Sequence, residues 1–388
     1  MIKAVQYTDN LRVENIINAG FKDAEIVYDE DVAKESSKDF CISENINILS
    51  VRMKADDLTA DALGSRLEGL NGKYRFSFLT IETVNSKITL RELYDFFLQK
   101  EIMETIKKLQ LKVCIEIGLD IEADKCVRNS YSDTNRLMDV TQKLNDEYSR
   151  QSHGVKRAKC DSNHDYFGIA FNTGLANLLK LNIAGRIGEL GDKLWLLYVN
   201  DNDGFHDLKQ MPYTFIAGRG ALTTDWRKIV ISLIETGFDG PIIFDTKGLF
   251  ETIPVGIQEA NLKLLYDIAA SWENNISFEK KLADAAETGK EIILFGAGIR
   301  TEIFMKLFGE RYTPSFIADN NAKRWGEEFC GISIQSPSHI LDLNKDKRLV
   351  IICNMYFYEI GKQLDGMGVE HILFEDAYFP QAEAEVIA

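Results

Sequence analysis

Apolar residues along the first 245 positions fall into short, nearly continuous runs: Ile2–Tyr7, Ala24–Tyr28, Ile46–Arg52, Tyr74–Glu82, Lys112–Ile117, Phe167–Phe171, Leu194–Val199 and Pro241–Asp245. Runs of this kind predict strands buried on both faces, as in a parallel sheet. The gaps carry helical periodicity. Leu90–Leu109 reads as one long amphipathic helix. Asp133 or Thr134 can cap a helix with Leu137, Val140, Leu144 and Tyr148 on one face, and Trp226, Ile229, Val230, Leu233 and Ile234 share a face that Gly237 ends. Eight strands, each followed by a helix, predict a (β/α)8 barrel over residues 1–275 in preference to an open doubly wound sheet. Beyond Trp272 the pattern restarts, with a helix near Phe278–Thr288 and strands at Glu291–Phe295, Ser315–Ala318, Leu349–Cys353 and His371–Phe374. Residues 276–388 therefore read as a small Rossmann-like α/β domain.

Charge and composition narrow the function classes. The 388 residues carry 45 Lys+Arg against 60 Asp+Glu, a net charge of -15, which argues against nucleic acid or an anionic membrane as partner. No stretch approaches the ~20 apolar residues of a membrane span and the N-terminus is unlike a signal peptide, so a soluble, cytoplasmic protein is expected. The six cysteines (Cys41, Cys114, Cys126, Cys160, Cys330 and Cys353) form no CxxC pair, which disfavours zinc clusters and disulfide scaffolds. His153, His164, His206, His339 and His371 make no HExxH or HxH spacing, and neither a GxSxG elbow nor a Walker motif is present. A homo-oligomer is compatible with all of this.

In a (β/α)8 barrel, chemistry sits at the carboxyl ends of the strands. Those positions hold Glu82, Glu116, Asn172, Tyr198, Asn200–Asp203, His206, Asp207, Lys209, Asp245 and Lys247. Glu116 and Asp245 close the fifth and eighth strands, and two carboxylates across a barrel mouth suit a proton shuttle at carbon, one removing a proton and the other returning it. The structural alternative is that either caps a helix or pairs with Lys247 or Arg219. Asn172, Tyr198, Asn202, His206, Lys209 and Lys247 are the candidate substrate-binding residues. Arg150–Asp165, with Lys156, Arg157 and Lys159, reads as a loop over the mouth.

The runs Cys114-Ile115-Glu116, Phe171-Asn172-Thr173-Gly174-Leu175-Ala176-Asn177 and Tyr198-Val199-Asn200-Asp201-Asn202-Asp203-Gly204 resemble the xylose-isomerase-like sugar phosphate isomerase/epimerase barrels. So do Gly218-Arg219-Gly220, Asp225-Trp226 and Gly237-Phe238-Asp239-Gly240-Pro241, and the resemblance spans about residues 1–272. It implies a divalent metal held by Glu, Asp, His and a final Glu, the two glutamates doubling as acid and base. Glu116 keeps the first position. Asn172 stands at the Asp and Leu175 at the His three residues on, Tyr198 stands at the metal-binding His, and Asp245 stands at the last Glu. Two strong ligands are fewer than a transition-metal site uses, so no divalent metal is expected. Lys209, where the family often has a further His, could supply positive charge instead, although a solvated loop lysine is the simpler reading.

The second domain carries Phe295-Gly296-Ala297-Gly298-Ile299-Arg300-Thr301 between a strand and a helix, and Asp319 ends the next strand at the spacing of a ribose-binding acid. Thr301 replaces the third glycine of the dinucleotide fingerprint. Gly296, Gly298, Arg300 and Asp319 are the candidate residues for a nucleotide at this turn. Together with Ala318-Asp319-Asn320-Asn321, Lys323-Arg324-Trp325-Gly326 and Cys330-Gly331-Ile332, the stretch resembles small Rossmann-type modules of surface-polysaccharide and nucleotide-sugar enzymes. A packing or oligomerisation module is the alternative. The expected function is isomerisation or epimerisation of a sugar or sugar phosphate; the alternative is an inactive barrel that binds a sugar or nucleotide sugar.

Overall fold

A computed structural model describes residues 1–7, 11–28, 45–58, 60–122, 125–152, 165–215 and 224–375. It divides into two compact units, Met1–Ala269 and Ala270–Ala388, with the division falling inside the helix Gln258–Glu287. Arg219, Cys41, Cys160, His153, His164 and most of the Arg150–Asp165 loop lie outside the described residues. Among the described residues no helix is long and apolar enough to cross a membrane.

In the first unit β1 (Lys3–Tyr7), β2 (Asp23–Tyr28), β3 (Asn47–Lys54), β4 (Phe78–Glu82), β5 (Lys112–Glu116), β8 (Phe167–Asn172), β9 (Leu194–Val199) and β10 (Ile242–Phe244) pair in parallel. The ring closes where β1 pairs with β10, Lys3 opposite Ile242 and Val5 opposite Phe244, which excludes the open sheet. A hairpin of β6 (Leu119–Glu122) and β7 (Lys125–Arg128) follows β5. Inside, Ala4, Leu49, Phe78, Cys114, Ala170, Leu196, Tyr198 and Ile243 form one buried cluster. Because side chains alternate along a strand, residues two positions beyond these share the interior. That rule aims Glu116, Asn172 and Asp245 at the same face as Cys114, Ala170 and Ile243.

Two expectations differ from the structure. Leu90–Leu109 is two helices, Leu90–Phe97 and Lys100–Leu109, broken at Gln99, whose backbone is extended (φ -65°, ψ 135°). A continuous helix would carry Ile102, Met103 and Ile106 away from the face of Leu90, Leu93 and Phe97, because Ile102 follows Phe97 by five positions rather than three or four; the break buries both sets. Tyr74 ends the helix Ala60–Tyr74 rather than starting a strand: Arg75 takes the left-handed conformation (φ 53°), and β4 begins at Phe78.

The second unit is a six-stranded sheet. In spatial order it runs β13 (Glu328–Phe329), β14 (Ile332–Gln335), β12 (Phe316–Ala318), β11 (Glu291–Phe295), β15 (Arg348–Ile352) and β16 (His371–Leu373). Only the β13–β14 pair is antiparallel. Ile293, Phe295, Phe316, Val350 and Ile352 pack with Ile360 and Leu364 in one core. A separate aromatic cluster is built from Phe278, Phe304, Phe308 and Phe374, with the Phe278 and Phe374 rings 5.4 Å apart.

Candidate functional site

The barrel mouth is organised by Arg52, near the end of β3 and 2% exposed. Its Nη2 donates to both oxygens of Glu116, at 2.8 and 2.7 Å, and its Nη1 donates to Asp245 Oδ2 at 3.1 Å. With one terminal nitrogen between both Glu116 oxygens and the other on Asp245, the guanidinium is held in orientation as well as charge. The same guanidinium lies over the Tyr198 ring, 4.8 Å from its centroid. Its Nε stands 3.6 Å from Glu82 Oε2, too far for a hydrogen bond, and has no acceptor among the described residues. Lys209, left-handed at φ 46°, donates from Nζ to Asp245 at 3.0 and 3.3 Å.

The remaining candidates divide into those that reach this centre and those that do not. Asn172 donates to Glu116 Oε1 at 2.8 Å, while its own Oδ1 caps the helix Thr173–Leu178 and accepts from Asn200. The Tyr198 hydroxyl donates to Glu25, which also accepts from Gln6 at 3.1 Å, a buried layer beneath the mouth. Asn202 ties the loop after β9 to the helix after β8, donating to the Gly174 carbonyl at 2.9 Å and accepting from Asn177 at 2.8 Å. His206 is exposed and meets Asp203 at 2.7 Å; Lys247 pairs with Glu251 at 3.6 Å. Asn172, Tyr198 and Lys209 therefore converge with Glu116 and Asp245, and Asn202, His206 and Lys247 make their contacts elsewhere.

Burial and charge push the two carboxyls in opposite directions. Burial raises Glu116 to about 7, against the pull of Arg52, with Glu82 adding to the rise. Burial also acts on Asp245, but Lys209 and Arg52 together outweigh it and hold that group below its ordinary value. Asp207 is raised, chiefly by burial, and its Oδ1 has no hydrogen-bond partner among the described residues. A carboxyl that titrates near neutrality beside one that stays ionised is the arrangement acid/base chemistry needs.

The divalent metal implied by the family resemblance does not fit these donors. Both carboxylates are engaged by Arg52, the Asn172 oxygen faces backbone N–H groups, and the Tyr198 oxygen is turned to Glu25. Among the described residues no group of three or more His, Cys, Asp or Glu side chains could hold a metal ion. A fixed guanidinium between the two carboxylates supplies a positive charge at the mouth.

Arg52 and Glu25 escaped the sequence reading. Arg52 closes the predicted run Ile46–Arg52 and Glu25 stands inside the run Ala24–Tyr28, each a charge in largely apolar surroundings. Ions in such positions are rarely buried without a partner.

In the second unit, Gly296 and Asp319 line a crevice of about 360 Å³ at the carboxyl edge of the sheet, with Asn354, Tyr356, Glu359 and Gln363. Gly296 has φ 108°, and a Cβ there would stand 2.6 Å from Asn354 Nδ2, so glycine is required twice over. The Ala297 N–H donates to Asp319 Oδ2 at 2.9 Å and the Asn321 N–H to Oδ1 at 2.8 Å. Gly298 is the N-cap and Arg300 lies in the first turn of the helix Ile299–Phe308, neither lining this crevice.

No protein-family model and no curated protein matches the chain. Several solved structures are similar to it. D-psicose 3-epimerase from Clostridium cellulolyticum H10 is 14% identical with a TM-score of 0.43, covering 70% of this chain and 99% of its own. L-ribulose 3-epimerase is 11% identical with a TM-score of 0.48, over 73% and 98%. A xylose isomerase domain protein from Alicyclobacillus acidocaldarius is 12% identical with a TM-score of 0.47, over 71% and 99%. At such identities and scores the likeness carries no inference about activity; the barrel is established by the strand pairing of this chain.

Proposed function

We propose that the barrel is a sugar isomerase- or epimerase-like acid/base site in which Arg52 provides the positive charge and no metal is used. One observation carries this reading: two strand-end carboxyls with opposite shifts meet one buried guanidinium. The ionised Asp245 takes the proton from the carbon beside a sugar carbonyl. The electron pair moves into the carbonyl, and the enolate oxygen is stabilised by the Arg52 N–H that lacks an acceptor. Protonated Glu116 then delivers its proton to carbon. The two acids end with exchanged protonation states and reset through solvent. Carbohydrate or surface-polysaccharide metabolism is the setting in which such a site would serve.

The test is solvent deuterium exchange followed by NMR on free ketohexoses and ketose phosphates. Deuterium should enter beside the carbonyl of one of them, persist after EDTA treatment, and vanish in Glu116→Gln. No exchange with any of these substrates, or exchange abolished by EDTA and restored by Mn2+, refutes the reading.

A second reading has its own support. Glu116 and Asp245 are 0% exposed and already neutralised by Arg52 and Lys209, which suits a barrel that binds a sugar without turning it over. It predicts a rise in melting temperature on adding the sugar with no deuterium exchange.

A further inference from the structure

Independently of the barrel chemistry, we propose that the crevice of the second unit binds an unphosphorylated sugar ring, either of a free monosaccharide or of a nucleoside, through adjacent hydroxyls. The chain passes from β11 to β12 on one side of the sheet and later enters β15 on the other side of β11. The loops after β11 and β15 therefore diverge, and such a switch point in a parallel sheet opens the crevice where ligands sit. Here those loops contribute Gly296 and Asn354 to the same crevice.

Charge selects among ligands. Asp319 and Glu359 line the crevice, and among the described residues no Lys, Arg or His does. The glycine turn would ordinarily offer its N–H groups to a phosphate, but the Ala297 N–H is taken by Asp319. A phosphate there would lose that donor and face two carboxylates. Hydroxyl groups do the reverse, because each carboxylate oxygen keeps a free lone pair that can accept from one of two adjacent O–H groups. Asn354 is half-buried, and its Nδ2 donates to no described residue, leaving a donor for a ring oxygen. Tyr356, 63% exposed, offers an aromatic face beside these polar groups. The volume of about 360 Å³ is at the small end for ligand sites, right for one ring or a nucleoside and too small for a dinucleotide.

Saturation-transfer NMR on the full-length chain, with methyl glucoside, adenosine, glucose 1-phosphate and AMP as probes, tests this. Methyl glucoside or adenosine should bind, the first indicating a free sugar and the second a nucleoside, and each more tightly than its phosphorylated counterpart. Binding should weaken roughly tenfold in Tyr356→Ala, as loss of a stacked ring implies, and also in Asn354→Leu. It should be unchanged in Glu116→Gln, which separates this crevice from the barrel mouth. Binding of none of the probes, equal or tighter binding of AMP or glucose 1-phosphate, or loss in Glu116→Gln with retention in Tyr356→Ala would each overturn the proposal.

Discussion

Replacing Glu116 with Gln should change how the stability of the protein depends on pH, in a direction the site geometry dictates. In the folded protein burial raises this carboxyl to about 7, from an ordinary value of 4.5. Between those values the folded state holds a proton that the unfolded state has released. Stability linked to this group is therefore complete below about 4.5, falls as pH rises, and levels off above about 7. The shift corresponds to roughly 3 kcal/mol lost across that window. Gln has the same shape and no titration, so this loss disappears from the variant. The stability of Glu116→Gln relative to the parent should rise by about 2.5 kcal/mol between pH 5 and pH 8, the part of that window above pH 5, or roughly 5–10 °C in melting temperature for a unit of this size. Calorimetry of both proteins over that pH range measures it. Parallel profiles would mean that Glu116 is ionised at ordinary pH, and the acid/base assignment built on its raised value would fall with it.

Arg52→Met should destabilise the barrel by about 3 kcal/mol, the lower end for one lost partner of a buried ion pair, because Lys209 still faces Asp245 and Glu116 can take up a proton. Arg52→Lys should not restore it, since one ammonium cannot reproduce the forked contacts to both carboxylates; urea unfolding of the two variants tests the pair, and full stability in either contradicts the role given to the fork. Gly296→Ala should destabilise the second unit by about 1–3 kcal/mol through its left-handed backbone and the contact with Asn354, with no effect on the barrel transition in the same calorimetric scan.

What the sequence revealed and what it hid follow from one geometric fact about barrels. Strand existence and order were legible because strands buried on both faces read as unbroken apolar runs, and Glu116 and Asp245 were legible because they stand where those runs stop. Lys209 was visible as a residue of the following loop, yet its bond to Asp245 depends on a left-handed turn that its sequence does not announce. Arg52 was visible too, as the charge on which the predicted run Ile46–Arg52 ends, but nothing in that run marks it as the partner of both acids; the strand itself continues two residues further, to Lys54. Only closure of the ring brings the interior face of β3 within reach of β5 and β10, strands that it does not pair with, so its partners are distant both in sequence and in the sheet. Asn172 and Tyr198, where the family resemblance implied metal ligands, belong to the same arrangement. Once an arginine occupies the space between the two carboxylates, a carboxylate at 172 would crowd a third acid against Glu116. The amide instead donates to Glu116, and the phenol lies against the guanidinium while donating to Glu25. Arg52, Asn172 and Tyr198 thus form one coupled arrangement of charge around the two carboxylates, held by a cation whose partners sequence spacing alone could not single out.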